Sequence, residues 1–67
     1  MSVARVTEIS STSATSFEDA IKSGLERANE TLRNVKSAWI KEQYVRVDGG
    51  AIAEYQVNML VTFVLDD

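Results

Sequence analysis

Apolar and polar side chains alternate most clearly over residues 51 to 65, near the end of the chain. The even-numbered positions of this stretch include Glu54, Gln56, Asn58 and Thr62. Its odd-numbered positions are Ala51, Ala53, Tyr55, Val57, Met59, Val61, Phe63 and Leu65. A period of two is typical of a β-strand with one buried face. We therefore expect a strand whose odd-numbered side faces the core.

The sequence predicts two further strands. Residues 35 to 47 also follow a period of two, and Asp48, Gly49 and Gly50 separate them from the last strand with the turn chemistry of a hairpin. Val3 to Ile9 interleaves β-branched and charged residues, which favours a short, partly exposed strand. The polar run SSTSATS at residues 10 to 16 is expected to be a loop.

From Ser16 the apolar spacing changes to three and four residues, which predicts an amphipathic helix. The positions with this spacing are Phe17, Ala20, Ile21, Gly24, Leu25, Ala28 and Leu32. Either Thr15 with Glu18 or Ser16 with Asp19 can form a capping box at its start. A mid-helix glycine costs about 1 kcal/mol relative to alanine, so Gly24 on the apolar side indicates close approach to a neighbour.

The order strand, helix, strand, strand predicts an α+β fold. If the last strand lies between the other two, all neighbours are antiparallel, because the helix returns the chain before the second strand. We expect one domain, residues 1 to 67, with the helix on one sheet face. Alternation places a second group on the uncovered face, which predicts an interface or a ligand site there. That group is Ser37, Trp39, Gln56, Leu60 and Val64.

Size and composition narrow the function classes. A 67-residue chain buries a small core, so reinforcement by self-association is expected. Cysteine and histidine are absent, which removes disulfides, thiolate metal sites and the commonest general base. No phosphate-binding glycine loop is present either, so we do not expect an enzyme.

Charge and hydropathy argue against two kinds of partner. The net charge is −3 and the seven basic residues are scattered, whereas nucleic-acid binding needs a basic stripe. There is neither a signal-peptide apolar region nor an apolar run of about 20 residues, so we expect a cytoplasmic protein without a membrane partner. We interpret Asp48 as part of the hairpin turn, and Asp66 and Asp67 as a solvated tail. No calcium-binding loop surrounds any of the three.

Three segments, in this order and on this topology, resemble the dodecins: VTEISSTSATSFEDAI, ERANETLRNV and AEYQVNMLVTFVLDD. The resemblance covers essentially the whole chain. It implies a hollow homododecamer in which pairs of flavins lie at two-fold axes, sandwiched between symmetry-related tryptophans, while a glutamine hydrogen-bonds the isoalloxazine edge. The role implied is storage and quenching of flavin (FMN or riboflavin) rather than turnover.

The family motif carries over to this chain at its glutamine but not at its tryptophan. Gln56 matches the flavin-binding glutamine, and the family's tryptophan position falls on Ser37. Trp39 lies two residues further along the strand, which keeps it on the same face about 7 Å away. Glu42 and Tyr44 lie near positions where other dodecins place polar or basic ligand contacts. The resemblance thus implies a flavin site made of these five residues, with no catalytic residue and no metal ligand.

A second function stays open. One branch of the dodecins, associated with calcium, lacks the tryptophan and resembles residues 38 to 43 of this chain. On that alternative the chain forms a structural dodecin-like assembly without flavin, with or without a metal ion. Trp39 would then be a packed anchor at a subunit seam, as large aromatic residues often are at interfaces.

Overall fold

The computed structural model describes residues 2 to 65 of the chain. The elements are β1 (Ala4–Ser13), α1 (Phe17–Thr31), β2 (Val35–Asp48) and β3 (Ala51–Val64). The strands form one sheet in the order β1-β3-β2, and both pairs are antiparallel. The predicted α+β fold, with the last strand in the centre, is confirmed. Within residues 2 to 65, no helix is long and apolar enough to cross a membrane.

The core lies between α1 and the central strand. Val57, Met59 and Val61 of β3 are fully buried, as predicted from the odd-numbered side of the strand. The helix meets them with Ala20 and Ala28, and the row of small residues formed with Gly24 brings the helix backbone close to the sheet. Other apolar side chains pack against this contact and are partly buried: Ile9, Phe17, Ile21, Leu25, Leu32, Val35, Ala38 and Ile40.

The hairpin of β2 and β3 extends beyond the helix. A 15-residue helix spans about 22 Å, whereas a 14-residue strand spans about 46 Å. The described chain is accordingly elongated, with extents of 51 × 19 × 13 Å. Tyr55 contacts Phe17 at the start of α1, so Ala51 and Ala53 lie beyond the N-terminal end of the helix. They are exposed, although the alternation predicted that they would lie under it. Near the tip, Val47 pairs with Ile52 and both side chains are largely exposed.

The hairpin turn agrees with the prediction. Asp48 pairs with Ala51, which leaves Gly49 and Gly50 as a two-residue loop. Both glycines have positive φ, at 60° and 81°, as the tightest hairpin turns require. A side chain with a Cβ is strained in this region of backbone space, so the turn explains why two glycines stand here.

The prediction of a loop over residues 10 to 16 is wrong for its first part. β1 continues to Ser13, because the backbone pairs with β3 without interruption from Ser10 opposite Asn58 to Ser13 opposite Tyr55. Small polar side chains do not disturb this pairing, since the ladder bonds join backbone groups. Ser13 is buried, and its hydroxyl donates to Asp19 Oδ2 at 2.7 Å while accepting from the Thr15 amide at 2.9 Å.

The helix start resolves the two capping alternatives. Ser16 is the N-cap, and its hydroxyl accepts from the Asp19 amide at 3.0 Å. The Asp19 carboxylate binds the Ser13 hydroxyl. The cap therefore also ties the first turn of α1 to the end of β1.

Gly24 is the closest point between the helix and the sheet. A Cβ built at this position would lie 2.5 Å from Met59 Cε and 3.0 Å from Ser11 Cβ. The methionine methyl can move, but the Ser11 Cβ is fixed by the strand backbone. The expectation of close approach at this glycine is confirmed.

Replacing Gly24 with alanine is expected to lower the free energy of unfolding by about 1 to 2 kcal/mol. The overlap with Ser11 outweighs the roughly 1 kcal/mol that alanine gains in helix propensity. Urea denaturation at a fixed chain concentration measures the change. Ser23→Ala, at the exposed neighbouring position, is the control and should change stability by less than about 0.5 kcal/mol. A Gly24→Ala midpoint above that of the parent would contradict the packing described here.

Candidate functional site

The sheet face opposite α1, here named the open face, is not covered by any described part of the chain. It is built from alternate residues of all three strands, as the register shows. Its members on β1 are Val6, Glu8, Ser10 and Thr12; on β2, Ser37, Trp39, Glu42, Tyr44 and Arg46; and on β3, Glu54, Gln56, Asn58, Leu60 and Thr62.

Trp39 is the largest apolar side chain on the open face. It pairs with Leu60 of β3, and 69% of its surface is exposed. Within residues 2 to 65 it is therefore not a core residue. An exposed indole beside a half-buried leucine is typical of a surface that another molecule covers.

A β-bulge brings two further predicted residues to the open face. The β2 register shifts between Ile40 and Glu42, so Lys41 is the extra residue. Strict alternation from Trp39 would turn Gln43 toward this face and Glu42 away from it. After the bulge, Glu42 lies opposite Asn58 and Tyr44 lies opposite Gln56. A single inserted residue thus reverses which sheet face the following side chains of β2 occupy.

Polar side chains around Gln56 form a continuous network on the open face. Arg46 Nη2 donates to Gln56 Oε1 at 3.2 Å, and Arg46 Nε lies 3.2 Å from Glu54 Oε1. The Gln56 amide nitrogen donates to Ser10 Oγ at 2.8 Å and to Asn58 Oδ1 at 3.4 Å. Asn58 in turn donates to Glu42 Oε1 at 2.7 Å. The network therefore crosses all three strands.

A second polar contact lies nearer Trp39. Lys41 Nζ is 3.3 Å from Glu8 Oε1, so the bulge residue reaches across the central strand to β1. Both side chains are about half exposed, and such a pair contributes little to stability. Its charges are balanced within the pair.

The aromatic and amide parts of the open face are separated along the strands. Trp39 lies opposite Leu60 and Tyr44 opposite Gln56, four residues along β3, which corresponds to about 13 Å. Ser37 lies opposite Thr62, one step further from Gln56 than Trp39. The chain brings all five predicted site residues to one face, although it does not bring them to one point.

The dodecin family model matches residues 3 to 66, which is nearly the whole chain. The chain belongs to the dodecin family. Calcium dodecin of Mycobacterium tuberculosis is a curated relative, 33% identical over 63 residues, with 94% of this chain and 89% of that protein covered.

Solved dodecins have the same fold. The dodecin from Streptomyces davaonensis is 38% identical and superimposes with a TM-score of 0.94, covering 98% of this chain and 97% of its own. The crystal structure of the Mycobacterium tuberculosis calcium dodecin, described as having a calcium-binding site, is 33% identical with a TM-score of 0.83. That alignment covers 97% of this chain and 93% of the other.

The residues that sequence reasoning missed in this dodecin chain are the polar partners of Gln56, namely Arg46 and Ser10. Arg46 is two positions after Tyr44, and residues two apart in a strand lie on the same face. If Tyr44 is on the open face, Arg46 is there too. The signal was thus present, but it depended on the bulge at Lys41. Ser10 lies in the segment that its small polar residues predict as a loop, so the sequence does not indicate its pairing with Gln56.

Metal-ligand chemistry is sparse in the described part of this dodecin. No group of three or more carboxylate, histidine or cysteine residues is close enough there to hold a metal ion. Asp48 lies at the hairpin turn. Asp66 and Asp67, the predicted solvated tail, lie outside the described residues.

A concavity of the described residues lies away from the predicted site. It is a groove of about 410 Å³ between β1 and α1, and its lining includes Ile9, Gly24, Arg27 and Leu32. None of the five predicted flavin-site residues lines it. The candidate site of this dodecin is therefore an exposed sheet face rather than a cavity within one chain.

Proposed function

We propose that this dodecin is a single-domain flavin-binding and storage protein, which takes up FMN or riboflavin between the subunits of a homododecamer. The observation that carries the proposal is the 69% exposed indole of Trp39 on the open face that also holds Gln56. The indole stacks on the flavin ring and Gln56 binds its edge. Ser37, Glu42 and Tyr44 complete the contacts, and no residue has a catalytic role.

The chemistry of the open face suits a flat, partly polar ligand. An aromatic side chain offers a large rigid surface for stacking, and nearby polar groups fix the orientation of the ring. Here Trp39 and Tyr44 are exposed, at 69% and 41%, on the same face as the polar network around Gln56. The isoalloxazine ring combines a flat apolar surface with a hydrogen-bonding edge.

The spacing on the open face supports a site shared between chains. Trp39 and Gln56 of one chain are separated by about 13 Å along the sheet. A second chain related by a two-fold axis brings its own indole toward the first chain's amide, since such an interface pairs each patch with its copy. Burial of the exposed indoles would then stabilise the small subunit.

Adding the purified protein to riboflavin or FMN is expected to quench the flavin fluorescence and to saturate near one flavin per chain. Stacking between indoles provides the quenching contact. A fluorescence titration at micromolar concentrations measures it, with free tryptophan at the same indole concentration as the control. Flavin emission that stays at the control level throughout the titration would refute the proposal.

A structural dodecin-like assembly that binds no flavin, with or without a metal ion, is the second candidate. Two points favour it: by the resemblance, the family's tryptophan position falls on Ser37, and a relative at 33% identity is a calcium dodecin. Trp39 would then be an anchor between subunits. This candidate predicts that flavin emission is unchanged and that the oligomer depends on the indole.

A further inference from the structure

The direction of the Gln56 amide is set by two charges at opposite ends of the network. A guanidinium can only donate hydrogen bonds, so the Gln56 atom that faces Arg46 has to be the oxygen. An ionised carboxylate can only accept, so the Asn58 atom that faces Glu42 has to be the nitrogen. Asn58 therefore turns its oxygen toward Gln56, which meets it with its nitrogen. Both ends favour the same orientation of Gln56.

In this orientation, Gln56 can offer a ligand only a hydrogen-bond acceptor. Its nitrogen has two N–H groups, and both are engaged, by Ser10 and by Asn58. Its oxygen has two lone pairs, of which Arg46 takes one. What remains for a ligand is an acceptor, so the ligand atom that meets Gln56 has to be a donor.

Arg46 offers the opposite chemistry next to this acceptor. Among the described contacts, two of the five guanidinium N–H donors are engaged, by Gln56 and by Glu54. Its side chain is 62% exposed, so the other donors are accessible to a ligand. An acceptor beside several donors complements a ring edge in which an N–H stands beside a carbonyl.

We infer that Glu42 and Arg46 determine the specificity of this site: together they fix Gln56 as an acceptor, so the site selects planar rings with an N–H beside a carbonyl. The inference rests on the proposed flavin function, because riboflavin and FMN carry such an edge at ring nitrogen N3 and its neighbouring carbonyls. Arg46 donates to the carbonyl, and Gln56 accepts the N3 proton. Besides its own contact with the flavin, Glu42 acts through Asn58 to position Gln56.

The test compares riboflavin with riboflavin methylated at N3, which lacks the N–H. The parent protein is expected to bind riboflavin at least about tenfold more tightly, the usual order for one unsatisfied polar group. In the double variant Glu42→Gln with Arg46→Gln, the Gln56 amide can find hydrogen-bond partners in either orientation. The ratio of the affinity for riboflavin to that for N3-methylated riboflavin should therefore fall to about two or lower. Arg46→Lys keeps a group that only donates and should retain most of the ratio.

A matched control comes from the other ion pair of the open face. Glu8→Gln with Lys41→Gln makes the same chemical change and also conserves net charge, but it does not touch Gln56. Its ratio should equal that of the parent. All four charged residues are exposed, so both double variants should fold, which circular dichroism checks.

The outcomes separate this inference from the function on which it rests. If the parent binds neither flavin, the proposed function fails and the inference fails with it. If riboflavin binds but N3 methylation makes no difference, or the Glu42/Arg46 double variant keeps the parent ratio, the inference alone is overturned. A fall in the ratio of the Glu8/Lys41 variant equal to that of the Glu42/Arg46 variant would also overturn it, because charge loss anywhere on the face would then suffice.

Discussion

Replacing Trp39 with alanine is expected to weaken riboflavin binding by about tenfold to a hundredfold. Stacking of a flat ring on an aromatic side chain contributes about 1 to 3 kcal/mol, and alanine retains none of this contact. Trp39→Phe keeps a smaller stacking surface and should give an intermediate affinity. Flavin fluorescence titrations of the three proteins, at equal chain concentration, measure the series.

The same variants distinguish ligand binding from assembly. Light scattering on the ligand-free proteins reports their oligomeric state. On the proposed function, the Trp39→Ala chain still assembles and loses flavin affinity. An alanine variant that bound riboflavin as tightly as the parent would exclude the stacking role. One that dissociated while the parent bound no flavin would favour the structural assembly instead.

Replacing Met59 with alanine is expected to lower the free energy of unfolding by about 2 to 5 kcal/mol. Met59 is fully buried, and its side chain fills the space beside Gly24, which has no side chain of its own. Truncation loses the burial of the side chain and leaves a cavity that a glycine-lined contact cannot close. Chemical denaturation at one fixed chain concentration measures the change, since the stability of a chain that self-associates, as the proposed function requires, depends on its concentration.

Val57→Ala is the graded comparison to Met59→Ala. Both residues are fully buried on β3, but valine loses fewer methyl and methylene groups on truncation. Val57→Ala should therefore lower the free energy of unfolding by less than Met59→Ala does. A Met59→Ala protein as stable as the parent would contradict the placement of the core between α1 and β3.

The last strand could be predicted almost completely from the sequence. Its period of two holds through Val57, Met59 and Val61 because one face of this central strand is buried under the helix along that stretch. The alternation could not show where along β3 the helix stops covering the sheet. Ala51 and Ala53 continue the same alternation but are exposed, because α1 is about half as long as the strand.

The end of β1 could not be predicted, since its side chains are small and polar. Ser10 and Ser13 belong to the strand because their backbone groups pair with β3, a long-range interaction that a local pattern does not contain. Ser13 also takes part in the Asp19 and Thr15 contacts at the helix start. Residues typical of loops are therefore compatible with a strand where a partner strand and a cap require them.

The candidate site was predictable only in part. Alternation placed Ser37, Trp39 and Gln56 on one face, and the strand register confirms this placement. The orientation of Glu42 and Tyr44 depends on the bulge at Lys41, which no hydrophobic period announces. The roles of these residues came from the family resemblance, and they stay predictions until binding is measured.

The emission of Trp39 tests the central claim most directly, because this is the only tryptophan in the chain. Titration of the purified protein with riboflavin should quench the tryptophan emission in parallel with the flavin emission, and both should saturate near one flavin per chain. Tryptophan emission that stays constant while the flavin is bound would contradict stacking on Trp39. If neither emission changes during the titration, flavin binding itself is contradicted.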